Sequence, residues 1–223
     1  MKKMIFYKEW IKTRWYILAA AAVLALGTSY VLLNLGKAAQ FKGNSFLWSY
    51  VIAQDSVLIE PLKYLPFILG GLLAAVQMLP ELSGKRLKLT LHLPYPQQKT
   101  IMLMCLYGIG ALAILFAVQA AAVSIALNCW IAPELVCRIM KTAAVWYLAG
   151  FVSYIWCAAV CLEPSWKMRS LLLVLLAGMA HLLFISPVPE SYNVFFPWLA
   201  LYSAAGLSMA FYGIARFKEG VQD

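Results

Sequence analysis

Residues 101–127, IMLMCLYGIGALAILFAVQAAAVSIAL, contain no charged side chain over 27 positions. As an α-helix this segment is about 40 Å long, more than the roughly 30 Å hydrocarbon core of a bilayer. A barrel strand would alternate polar and apolar residues, and an open sheet would leave unpaired backbone groups in lipid. The run does neither, so an all-α polytopic membrane protein is expected. Composition agrees: 64% of the 223 residues are hydrophobic, 12% are charged and the mean hydropathy is +0.80, outside the range of soluble domains.

Working outward, residues 80–100, PELSGKRLKLTLHLPYPQQKT, form a basic polar island before that span. Six spans are expected in a single transmembrane domain covering residues 1–223, at about 15–35, 56–79, 101–127, 143–162, 170–185 and 198–214. An even number puts both termini on one side. That side would carry Lys2, Lys3, Lys8, Lys12, Arg14, Lys85, Arg86, Lys88, Lys99, Lys167, Arg169, Arg216 and Lys218, against Lys37, Lys42, Lys63, Arg138 and Lys141 on the other. Thirteen against five makes the termini, the 80–100 island and the 163–169 loop cytoplasmic by the positive-inside rule. The net charge of +9 then reflects topology and contact with anionic membrane lipid, with no nucleic acid partner.

The N-terminus has a basic start and an apolar run, but the run is too long for a signal peptide and no A-x-A-like site closes it cleanly. A retained first helix is expected. Residues 4–16 place Ile5, Phe6, Trp10, Ile11 and Trp15 among lysines, which suits an amphipathic interfacial helix over residues 1–14; a straight extension into the first span is the other reading. Residues 45–79 would be about 52 Å as one helix, longer than a span requires. Phe46 to Ile59 is therefore expected as an extracytoplasmic helix, interfacial or re-entrant, leading into a span kinked by Pro61 and Pro66.

Chemistry-bearing groups are sparse. Cys157 and Cys161 stand one helical turn apart with no histidine or carboxylate to complete a metal site, so packing explains them. Cys129 and Cys137 share an outer loop, where an oxidising compartment would permit a disulfide. Ser153 and His181 evoke an intramembrane serine protease, but 150–154, GFVSY, lacks a glycine after the serine. No pair of carboxylates falls inside a span, which argues against metal or aspartyl proteolysis and a carboxylate proton relay. Gln77, Gln119 and His181 are candidate pathway-lining residues; each could instead bond a neighbouring helix. No G-x-x-x-x-G-K-[ST] motif occurs, so no P-loop of this chain binds ATP. Ala19 to Ala22, Gly70, Gly71, Ala74, Ala75, Gly108, Gly110 and Ala111 would let helices approach closely.

In the island, Leu87, Leu89, Leu91 and Leu93 alternate with Lys88, Thr90 and His92, a strand-like pattern. The residue types equally permit a short helix stopped by Pro94 and Pro96. Either way, four leucines flanked by bases call for a protein partner or a membrane surface.

Glu81 followed by Gly84, then the run from Leu87 to Pro94, with Lys99 before the next span, resembles the cytoplasmic loop of type-2 ABC transporter permeases. The basic N-terminus, six spans and missing ATPase resemble that family too; Lys85 and Arg86 replace its usual small polar residue after the glycine. The resemblance implies a multi-pass permease subunit in the plasma membrane, the bacterial inner membrane, forming the translocation pathway for export. A coupling helix between spans 2 and 3, with Glu81, Lys85, Arg86, Leu87, Lys88, Leu89, Leu91, His92 and Leu93 as contact residues, would dock on a separate ABC ATPase subunit. That subunit would hold ATP and Mg, and this chain would need no cofactor and hydrolyse nothing itself. A second permease protomer, identical or related, would complete the assembly, and residues 186–197 would cap the outer end of the pathway as a short re-entrant helix. A substrate-binding subunit of an importer and a non-transporting membrane scaffold are the other classes. The lack of charge in the spans points to an amphipathic or lipid-like cargo.

Overall fold

A computed structural model describes residues 2–43, 49, 51–53, 57–82, 97–186 and 188–219. Six α-helices of 18 or more residues carry the fold: α1 (Lys2–Lys42), α2 (Leu65–Leu82), α3 (Gln97–Leu127), α4 (Pro133–Leu162), α5 (Trp166–Phe184) and α6 (Phe196–Glu219), with a 3-10 turn at Glu60–Leu62. No strand occurs among the described residues. Five helical segments are long and apolar enough to cross a membrane: Lys3–Phe41, Glu60–Glu81, Lys99–Leu127, Pro133–Leu162 and Trp166–Phe184. The sixth expected span falls in α6, which is not among these five.

Prolines and one glycine set the helix boundaries. Gly43, at φ 78°, follows α1 and returns its N–H to Ala39 O at 3.0 Å, an αL stop. Pro61 lies at the start of the 3-10 turn and Pro66 in the first turn of α2, where a missing N–H costs no helical bond. Pro61 and Pro66 therefore start a shorter helix and do not interrupt it; the proline inside α2 is Pro80. Pro133 opens α4 ten residues before the expected start at 143, so Arg138 and Lys141 ride on the helix and not in a loop. Pro164 follows its end.

Three further expectations change. The 4–16 segment and the first span form one unbroken helix of 41 residues, roughly 61 Å long, so the straight extension is the reading found and no separate interfacial helix exists. Residues 188–195 are bends and turns without a re-entrant helix. Cys129 and Cys137 are separate, exposed thiols. Of the 46–59 segment, only Ser49 and residues 51–53 are described as helical.

The core is organised around α4, 72% of whose apolar window is buried against 22% for α1 and α5. α4 packs on α2, α3, α5 and α6. Its crossing with α2 is glycine on glycine: a Cβ on Gly70 would collide with the backbone carbonyl of Gly150, as small-residue helix crossings require. The bundle also sorts its charges. Lys8 and Lys12 meet the C-terminal end of α2, whereas Lys63 stacks over Tyr64 and Phe184, and Arg138 and Lys141 face Glu190, at the other end.

Candidate functional site

The inward stripe of α1 comprises Glu9, Thr13, Ala20, Leu24, Thr28, Val31 and Leu35, spaced mostly by three or four residues as one helix face requires. It is polar at its N-terminal end and, apart from Thr28, apolar above. On α2 the stripe Leu69, Leu73, Gln77, Glu81 is its mirror, polar at the C-terminal end. Antiparallel packing brings the two polar ends together.

There, Lys12 Nζ lies 3.1 Å from Glu9 Oε1 and 3.0 Å from Glu81 Oε1, and Lys8 Nζ lies 2.8 Å from that same Glu81 oxygen. Glu9 is fully buried and Glu81 is 2% exposed. Two carboxylates and two ammonium groups leave the cluster neutral, which is how buried charge is tolerated. The Oε2 atoms of Glu9 and Glu81 have no hydrogen-bond partner.

Hydrogen bonds extend the cluster into α3 and α4. Thr13 Oγ1 donates to Glu9 O at 2.8 Å and is 2.8 Å from Tyr107 OH, which supplies the proton of that second bond. Gln77 Nε2 donates to Met104 O at 2.8 Å, and Tyr154 OH donates to Gln77 Oε1 at 2.8 Å. Tyr16 OH, one turn up α1, donates to Leu69 O. Four helices are thus tied at one end by a continuous polar clasp. Its ion pairs and hydrogen bonds join the ends of these helices.

The sequence-predicted residues separate. Glu81 is in the clasp; Lys85, Arg86, Leu87, Lys88, Leu89, Leu91, His92 and Leu93 lie outside the described residues. Gln77 is in the clasp as well, bonded to two neighbouring helices. Gln119 is elsewhere on α3, where its Nε2 donates to Thr28 Oγ1 at 3.3 Å. His181 is exposed on α5, apart from both glutamines and from Ser153, whose buried Oγ faces Gly71 of α2. No serine–histidine pair forms, and no group of three metal-ligating side chains occurs among the described residues.

Lys8, Glu9, Lys12, Tyr107 and Tyr154 were not singled out from sequence. A signal existed for one: Glu9 is the only acidic residue before Asp55, in a segment otherwise basic.

No protein-family model, curated protein or solved structure matches the chain.

Proposed function

We propose that the chain is the transmembrane permease subunit of an ABC transporter, working as an exporter with a separate ATPase subunit and a second permease protomer. In this reading α6 is the sixth span, both termini and the 80–100 island are cytoplasmic, and the membrane is the bacterial inner membrane. The observation that carries it is the position of Glu81. It sits in the last turn of α2, immediately before the basic leucine-rich loop, and is gripped by Lys8 and Lys12 of α1. A loop pushed by a partner would move two helices together through that grip, and α4 through Gln77 and Tyr154. ATP and Mg would be held by the partner, since the sequence has no P-loop.

Co-purification tests the reading. In mild detergent an ABC ATPase should come down with the wild-type chain and be lost with the Leu89→Asp, Leu91→Asp double variant. If the double variant keeps the complex and its ATPase activity, the permease assignment fails.

A further inference from the structure

Between α1 and α3, away from the clasp, runs a groove of about 480 Å³. Its walls are apolar apart from Thr28, Ser29 and Gln119, and no ionisable group lines it. A volume of this size, apolar with a few polar groups, is typical of small-molecule sites. It is half open, with Ala25 and Ser29 on one wall and Ile114, Val118 and Ala122 on the other exposed.

Depth decides what can enter. Thr28 is about 21 Å along α1 from Arg14 and about 13 Å from Lys37, so the groove opens into hydrocarbon and not into water. Gln119 is 5% exposed, its Nε2 is bonded to Thr28, and its Oε1 is buried without a partner, so a donor in the groove reaches that oxygen only when the amide turns toward it. An unpaired carbonyl at this depth is costly, because lipid chains offer it no donor. A side-chain flip of the amide exchanges which end is bonded to Thr28 but leaves the other unpaired.

We propose that this groove binds an uncharged lipid-like segment bearing a hydroxyl or N–H group within its apolar body, that group bonding Gln119, with Thr28 and Ser29 beside it. An ordinary saturated acyl chain fills the same volume but leaves the amide unpaired. The proposal rests on the membrane reading of α1 and α3 and is independent of the permease assignment, since binding needs no ATPase.

The test uses the full chain in phosphatidylcholine nanodiscs doped with a photoactivatable phospholipid carrying a mid-chain hydroxyl, compared with the same lipid lacking it. The hydroxylated probe should label the α1 and α3 groove peptides about fivefold more strongly, the ratio one net hydrogen bond supports. Gln119→Leu should erase that preference while retaining labelling by the plain lipid. Ala25→Leu, at an exposed position on the rim that does not disturb the core, should reduce labelling by both probes. Equal labelling of wild type by the two lipids overturns the proposal. So does labelling indifferent to Ala25→Leu, or capture of a second protein copy in the groove in place of lipid.

Discussion

Lys12 Nζ of α1 lies 3.0 Å from Glu81 Oε1 of α2, and it is the more buried of the two lysines that hold this carboxylate. Lys12 is 16% exposed and also pairs with Glu9; Lys8 is 46% exposed and does not. Removing Lys12 strands the buried Glu9 carboxylate and leaves Glu81 with Lys8 alone, whereas removing Lys8 leaves both carboxylates paired with Lys12. Lys12→Met should therefore cost about 3–5 kcal/mol, and Lys8→Met under about 1 kcal/mol. Unfolding of the two variants in detergent measures the difference. Equal losses would mean that Glu9 does not depend on Lys12.

Gly70 and Gly150 offer a sharper contrast. A methyl group at Gly70 meets the Gly150 carbonyl, and one at Gly150 meets Phe116 and the Pro66 carbonyl, whereas nothing lies within 4 Å at Gly110 or Gly178. Gly70→Ala and Gly150→Ala should destabilise by about 1–3 kcal/mol or more. Gly110→Ala and Gly178→Ala should be neutral or stabilise by up to about 1 kcal/mol through helix propensity. Thermal unfolding of the four variants should split them into two pairs.

Tyr154 donates the hydrogen bond that satisfies Gln77 Oε1 inside the bundle. Tyr154→Phe leaves that oxygen buried without a donor and should cost about 1–3 kcal/mol. Gly108→Ala should act on the same bond, because its Cβ would run into the Tyr154 hydroxyl. If the two effects add fully in the double variant, they do not share that bond, and the clasp is not continuous from α2 to α4.

Hydropathy located the helices because a span must be apolar whatever surrounds it, and 101–127 lies wholly within α3. It missed the first turns of α4, where Glu134, Arg138 and Lys141 interrupt the apolar run; Pro133 at the first helical position was the available signal. The clasp was only half legible. Glu81 and Gln77 stood out as polar residues near an apolar run, but their partners lie 69 and 77 positions away along the chain. Such pairings depend on how helices pack, which residue spacing along one helix does not encode.

Topology yields a fourth prediction. Cys129 and Cys137 are exposed and Cys105 is buried. With the proposed orientation, a membrane-impermeant maleimide added to intact cells should modify Cys129, Cys137 and an introduced Ser191→Cys, and leave a Ser83→Cys thiol untouched until the cells are opened. Labelling at 83 and protection at the other three would reverse the orientation and remove the loop from the cytoplasm.

Glu190 sets two small energies against each other. Its backbone is left-handed, at φ 62°, which costs a non-glycine residue about 1–2 kcal/mol. Its N–H donates to Thr142 Oγ1 at 3.2 Å, and its carboxylate is 3.4 Å from Lys141 Nζ and 3.8 Å from Arg138 Nε. Those ion pairs are partly exposed and long, so together they contribute under about 1 kcal/mol. Backbone relief should therefore outweigh the lost charge. Glu190→Gly is expected to match or exceed the wild-type midpoint, Glu190→Gln to fall slightly, and Glu190→Val to fall most, since a β-branched residue tolerates this backbone worst. A glycine variant less stable than the glutamine variant would show that the carboxylate, held by Arg138 and Lys141, is what pins the turn to α4.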